Sequence, residues 1–402
     1  MKTFLSHLNE SMVDDLLSKQ VRKVIKSAGG KIYQIGGVVR DELLGKVSKD
    51  LDLIIVGVEL NDLERILKPH GKVNMVGKSF GILKFIPTGS TADEDIDISV
   101  PRIDSKSTGS GHKDFEVKLG KGITLQQDQL RRDFWINQLA KDIDTGEIID
   151  TDGKGMKDIK NKQIRMISPT SFEDDPLRML RAIQFAARFE FKIERETFKE
   201  MKKQASTINT ISADRFNEEF KKLFKKSKSP SHGIDILFSS GIMKNIFKDA
   251  RKSAIDSATI DKLDKNAFPV FIALMLKSYG EKAGAIAKST LRLSNADVNS
   301  VNSISRWKDM DNVELVKWSQ SADIKMTDMY LKARGEKKSA SARLKDIKYT
   351  AIKDMPIGGK DAAQAGFKGK AIGDVLQSAL DHSINTGKSS KEDLLKHINS
   401  KK

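Results

Sequence analysis

The chain runs Tyr33-Gln34-Ile35-Gly36-Gly37-Val38-Val39-Arg40-Asp41 and, a few residues later, Lys49-Asp50-Leu51-Asp52-Leu53-Ile54-Ile55-Val56. Two apolar runs rich in β-branched residues enclose a Gly-Gly turn, an Arg-Asp pair and an Asp-x-Asp pair, a pattern that predicts two buried strands. Residues two apart in a strand point to the same face, so Asp50 and Asp52 share one. Like charges side by side on a buried sheet are costly unless a cation lies between them, and a hard cation such as Mg²⁺ is the natural partner of carboxylate and phosphate oxygens. Gly36-Gly37 supplies a turn where backbone N–H groups can approach a phosphate with no Cβ in the way. Arg40 adds a planar fork for the same polyphosphate. Taken singly, these features read equally as a tight turn and a solvated strand end; it is their order that points to a metal-assisted phosphate site.

Outward from this stretch, Lys31 to Ile35, Leu51 to Val58, Ile82 to Ile86, Asp95 to Val100 and Phe115 to Leu119 are the expected strands, with Ser105 to Gly111 a polar mobile loop between the last two. Ahead of them, Leu5, Leu8, Met12, Val13, Leu16, Leu17 and Val21 recur near helical spacing and predict one amphipathic helix to about Ala28, ended by Gly29-Gly30. From about Ser171 the helical period dominates, broken by polar stretches such as Ser227 to Ser231. From Ile357 the chain returns to glycine-rich turns before a final short helix. The expected class is α+β, a small mixed β-sheet head followed by all-α neck, body and tail. The expected divisions are residues 1–29, an N-terminal helical extension; 30–168, the head; 169–230, neck helices; 231–350, a helical body; and 351–402, a tail.

With 402 residues, 71 Lys plus Arg against 55 Asp plus Glu, and a formal charge of +16, the chain favours a polyanionic partner, nucleic acid first. Having no cysteine, it excludes disulfides, thiolate metal sites and cysteine nucleophiles, and fits a reducing compartment. The first residues reach acids by Glu10, Asp14 and Asp15 without an apolar signal core, and no apolar run approaches the roughly 18 residues of a membrane span. A soluble cytoplasmic protein with no membrane partner is expected.

The quoted stretch resembles the signature of the class II tRNA nucleotidyltransferase and poly(A) polymerase family, most closely the bacterial CCA-adding enzymes. Gly36, Gly37, Val39, Arg40, Asp41, Asp50 and Asp52 stand in register with its Gly-Gly-x-Val-Arg-Asp and Asp-x-Asp motifs. The resemblance implies that Asp50 and Asp52 hold two Mg²⁺ ions, one activating an RNA 3′-hydroxyl and one escorting the nucleoside triphosphate. Asp97, in Ile96-Asp97-Ile98, has the pattern of the third catalytic carboxylate found in the wider superfamily; it reads equally as a strand-end acid without ligand duty.

Two further blocks carry the likeness. Leu130 to Ala140 resembles the family's Arg-Arg-Asp-Phe-Thr-Ile-Asn-Ala, which places Arg132 and Asp133 on nucleotide contacts: an acid to accept from a ribose 2′-hydroxyl, an arginine to neutralise phosphate. Trp135 departs from a usually small hydroxyl residue, and a large ring there could repack the pocket floor. Phe172 to Phe189 resembles the nucleobase-reading helix. Asp175 caps it ahead of Pro176, Arg178 shares its first turn, and Arg181 lies one turn on. An Asp that accepts an amino hydrogen and an Arg that donates to ring nitrogen or carbonyl oxygen suit cytosine and adenine. Here Asp174 stands for the usual Glu and Gln184 for a frequent arginine. Asp150 to Ile159 resembles a structural turn of the family, and Arg102 to His112 its flexible loop.

What the resemblance implies is template-independent addition of C, C and A to tRNA 3′ ends from CTP and ATP. The alternatives are a poly(A) polymerase, a partial CC- or A-adding enzyme, and an inactive RNA-binding relative. Phe216, Phe220 and Phe224 on one helix read as core or as a base-stacking stripe, with Lys221, Lys222, Lys225 and Lys226 the better RNA candidates. The six histidines are scattered with no close pair in sequence.

Overall fold

The computed structural model describes residues 13, 14, 16–46, 51–76, 81–90, 95–104 and 117–402. Asp50 and the loop 105–116 lie outside the described residues. The chain forms two compact units, residues 1–210 and 211–402.

The first unit is built on a seven-stranded sheet in the order β3-β4-β5-β2-β1-β8-β9. Its strands are β1 (Lys31–Ile35), β2 (Asp52–Val56), β3 (Gly71–Met75), β4 (Ile82–Pro87), β5 (Ile96–Ser99), β8 (Ala140–Asp142) and β9 (Ile148–Ile149). A separate pair, β6 (Arg102–Asp104) and β7 (Val117–Leu119), runs antiparallel. Within the seven, β2 and β5 are parallel and every other pairing is antiparallel. The central strands are the most apolar: Leu53, Ile54 and Ile55 have no exposed surface, which is what a strand covered on both faces requires. The two edges are poor templates. β9 has two residues, and β3 exposes Lys72 and Asn74.

Helices α1 (Lys19–Ser27) and α3 (Leu60–Leu67) cover the sheet, Val21 and Ile25 sharing one core with Leu60, Leu63, Leu67, Leu53, Ile55, Leu83 and Phe85. The N-terminal segment is not the single helix its period predicts. Ser18 is extended (φ −52°, ψ 153°), and its side chain accepts from the Val21 N–H at 3.4 Å, so α1 starts afresh with its own cap. Between β1 and β2 lies α2 (Gly37–Leu43); α4 (Leu125–Leu130), a 3₁₀ turn at Trp135–Asn137, α5 (Lys154–Lys160), α6 (Ser171–Asp174), α7 (Leu177–Phe189) and α8 (Arg195–Lys203) follow.

The second unit is helical. In α9 (Ala213–Lys226), Phe216, Phe220 and Phe224 are buried, Phe224 stacking on Phe271 at 4.9 Å, so the stripe is core. Lys221 and Lys222 pair with Glu218 and Glu219 on the same helix. The C-terminal segment differs from its glycine-rich reading: Lys370–Thr386 is a helix of 17 residues that starts after Gly369 and packs with Lys391–Asn399. Its glycines punctuate the ends, Gly369 and Gly387 both at positive φ, while Val375, Leu376, Ala379 and Leu380 keep the helical period of the core. These two helices bring His382 and His397, far apart in sequence, into a stack with ring centroids 4.2 Å apart.

Candidate active site at the end of the head sheet

β1 ends at Gly36, whose φ of 69° is reached without strain only by glycine, and whose N–H donates to Leu139 O at 3.0 Å. The chain then enters α2 at Gly37, so this turn ends in a helix N-terminus. β2 is antiparallel to β1 with Leu53 opposite Gln34, which sets Asp52 at the end of the sheet where β1 gives way to the glycine turn. β5 is parallel to β2, and Asp97 is the register partner of Asp52. Strands about 4.8 Å apart leave the two carboxylates neighbours on one face. Lys84, register partner of Asp97 on β4, donates to Asp95 at 2.7 Å and stands 3.5 Å from Asp97 Oδ1. These acids raise the Lys84 ammonium above its ordinary value, the hydrogen bond to Asp95 contributing most. Asp97 Oδ1 is enclosed and accepts no hydrogen bond among the described residues. Two half-buried carboxylates side by side, Asp97 sharing Lys84 with Asp95, are a donor set that fits a divalent cation, and Asp50 precedes Asp52 by two residues. Among the described residues no three or more His, Cys, Asp or Glu form a ready-made metal cluster.

The second block closes on the turn. Asp128, with no exposed surface on α4, pairs through Oδ1 with Arg131 NH2 at 2.6 Å and through Oδ2 with Arg132 NH2 at 2.9 Å. Burial pushes the Asp128 carboxyl up, but the two guanidinium groups overcome this and hold it below the usual range. A Cβ on Gly36 would come within 3.2 Å of Arg132 NH1, so the turn accepts the guanidinium only because no side chain is there. Arg132 Nε is enclosed without a partner among the described residues. Asp128 was not among the sequence candidates. Its spacing three and four residues before Arg131 and Arg132, on one helix face, is the signal that could have found it.

Two residues expected to contact the nucleotide, Arg40 and Asp133, are buried and engaged within the protein. Arg40 is 4% exposed and does not present a fork to phosphate. Its NH2 pairs with Asp41 Oδ1 at 2.7 Å, its NH1 donates to Asn137 Oδ1, and the guanidinium lies 5.2 and 4.7 Å from the ring centres of Phe185 and Phe189. Burial moves the Arg40 guanidinium below its ordinary value, with Asp41 opposing. Asp133 is 8% exposed; Oδ1 accepts from the Phe134 N–H and from Asn137 Nδ2 at 3.0 Å, and Oδ2 pairs with Arg181 NH2 at 2.7 Å. Burial raises the Asp133 carboxyl, and Arg181 with Asn137 more than reverses this. Asp133 thus anchors Arg181. Asp41 Oδ2 pairs with Arg188 at 3.1 Å, which closes a ring of polar contacts, Arg188–Asp41–Arg40–Asn137–Asp133–Arg181, that begins and ends on α7.

The third block, expected to read the base, forms the first turns of α7. Asp175 Oδ1 accepts from the Leu177 N–H at 3.1 Å, capping α7. Arg178 NH2 donates to Arg131 O at 2.8 Å, which ties the first turn of α7 to the second block. Arg181 is one third exposed, its guanidinium 5.3 Å from the Phe185 ring centre. The three departures have local surroundings of their own. Trp135 is buried beneath Lys154, whose Nζ lies 4.4 Å from its ring centre, and packs on α5 where a Cβ on Gly155 would meet its carbonyl at 2.6 Å. Asp174 accepts from Thr170 Oγ1, and Gln184 is 3% exposed with its amide nitrogen unpartnered among the described residues. In the turn 150–159, Asp150 accepts from the Gly155 and Met156 N–H groups, as a structural turn should.

Residues 32–165 match the family model of the poly A polymerase head domain, and residues 190–253 that of the probable RNA and SrmB-binding site of polymerase A. The chain is 34% identical over 228 residues to the multifunctional CCA protein of Cupriavidus metallidurans, covering 54% of this chain and 51% of that protein. It is 39% identical over 181 residues to that of Nitrosomonas europaea, covering 45% and 40%. It therefore spans about half the length of the curated relatives it matches. The fold is that of CCA-adding enzymes. A CCA-adding enzyme in complex with ATP shares it with a TM-score of 0.68 at 22% identity, over 96% of this chain and 95% of that one. The Thermotoga maritima CCA-adding enzyme complexed with tRNA shares it with a TM-score of 0.66 at 21% identity, over 97% and 98%. Head domains of this class generally depend on a divalent metal. No helix among the described residues is long and apolar enough to cross a membrane.

Proposed function

We propose that this protein adds C, C and A to the 3′ end of tRNA, taking CTP and ATP as donors and Mg²⁺ as the metal. The observation that carries the reading is the convergence at one sheet end of the Asp52–Asp97 register pair, the Gly36 turn with Arg132 against it, and Arg178 bonded to the second block. Asp52 and Asp97, with Asp50, would hold the cation, which when bound activates the RNA 3′-hydroxyl and neutralises the triphosphate. The new bond joins the RNA 3′-oxygen to the α-phosphorus, and the bond to pyrophosphate breaks. Gly37 and the start of α2 present backbone N–H groups to the phosphates, and Arg132 adds its charge there. Asp175 and Arg178 read the base edge, and Arg181, held by Asp133, lines the same first turns of α7. The polar ring fixes the helix, so selection rests on protein side chains and needs no nucleic-acid template.

The test offers purified protein and Mg²⁺ to tRNA transcripts lacking CCA, CA or A, with CTP, ATP or both, and reads 3′ ends at single-nucleotide resolution. Termination at CCA is expected. Arrest at CC, addition of A alone, or long adenosine tails would each replace this reading with the corresponding partial enzyme or polymerase.

A further inference from the structure

α1 carries Lys19, Arg22, Lys23 and Lys26 and no acid. The spacing i, i+3, i+4, i+7 puts all four on one face, and that face is fixed by the opposite one, since Val21 and Ile25 are 3% and 0% exposed in the sheet core. The stripe lines an open groove of about 520 Å³ with Ser27 and Asp144. Arg22 pairs with Asp14 and donates to Leu17 O at 2.8 Å, and Lys26 pairs with Asp144 at 2.6 Å. Lys19 and Lys23 are exposed and without an acid partner among the described residues. The groove is not an extension of the candidate active site. α1 delivers the chain to β1 at Lys31, whereas the glycine turn lies at the other end of that five-residue strand, about 17 Å away at 3.3 Å per residue.

We infer that this groove binds the phosphodiester backbone of RNA at a second place on the head, remote from the nucleotide. Lys19 to Lys26 span about 10 Å along the helix, enough to meet neighbouring phosphates of one RNA strand. A membrane surface is disfavoured because an interfacial helix needs an apolar face to insert, and that of α1 is already buried in the sheet core. The inference rests on the reading above, that RNA is the substrate.

The experiment compares the full chain with Lys19→Gln/Lys23→Gln and with a control pair on α5, Lys157→Gln/Lys160→Gln, likewise exposed on the head. The probe is a tRNA transcript lacking CCA, with affinity measured between 50 and 200 mM salt. Two lost phosphate contacts lower the log–log salt slope by about 1.4–1.8, so the unaltered chain should lose about 7- to 12-fold more affinity over that range than the α1 pair. The control should keep the original slope, and CTP incorporation at saturating RNA should be unchanged in both. An unchanged slope in the α1 pair overturns the inference, as does an equal fall in the control, which would assign the effect to diffuse charge. Loss of binding to phosphatidylserine vesicles with an unaltered RNA slope would reassign the groove to lipid. Failure of the unaltered chain to incorporate CTP would sink the proposed function instead, a readout separate from the salt slope.

Discussion

Two charged regions of the first unit are held very differently. At the sheet end, Asp52 and Asp97 lie side by side, half-exposed, with Lys84 at 3.5 Å from an Asp97 oxygen that accepts no hydrogen bond. By contrast, Arg40, Asp41, Asp133 and Asn137 are each under 9% exposed, and every link in their ring from Arg188 to Arg181 is a direct contact. A buried charge is tolerable only when paired and hydrogen-bonded, so the ring is complete as it stands and serves to position. The carboxylate pair, half-exposed and approached by Lys84, is instead open to solvent, as a site for a cation would be.

The sharpest way to break this contrast is Asp52→Ala. If the pair is catalytic, nucleotide incorporation should fall by about 10³-fold or more, equivalent to about 4 kcal/mol of barrier, while tRNA affinity stays within about twofold. Equal loss of both in incorporation and filter-binding assays would make Asp52 structural. Arg40→Met addresses the ring from the other side. It strands Asp41 in the interior with Arg188, so stability should drop by about 3–5 kcal/mol. Thermal unfolding should show a midpoint at least about 6 °C lower, and an unmoved midpoint would deny that the ring is saturated. Arg178→Ala removes a donor whose NH2 ties α7 to Arg131 O. The ratio of CTP to ATP incorporation should relax by about tenfold, the worth of about 1.4 kcal/mol, and an unaltered ratio would take base selection away from this residue. The smallest effect belongs to Gln184→Met, which replaces an orphaned buried amide with an apolar chain of similar size. Stability should rise by about 0.5–1 kcal/mol in denaturant titration, with incorporation unchanged; a loss would show that Gln184 has a partner in the working enzyme.

The sheet was legible where its strands are apolar and β-branched: 31–35, 52–56, 82–87 and 96–99 all lie within or beside the expected runs. β3, with Gly71, Lys72 and Asn74, and the two- and three-residue strands β8 and β9 carry no local signature, because their neighbours' ladders, not their own side chains, hold them extended. The long helix at 370–386 was masked by Gly373, which sits on its exposed side where a missing side chain costs little packing. At the candidate site, the glycine turn and Asp52 stand out through spacing, whereas Asp97 was suggested by the family pattern and takes its place beside Asp52 from the β2–β5 register. Arg40 misleads, since what buries it is Phe185 and Phe189, almost 150 residues downstream, and no local pattern reports a contact of that range.

The two ends of the sheet order bear on how the protein behaves at high concentration. β9 offers too short a ladder for another strand to join, and β3 presents Lys72 and Asn74 where a flat apolar edge would invite a copy to dock. With a formal charge of +16 on the whole chain repelling like molecules, these edges should resist the edge-to-edge stacking from which fibrils grow.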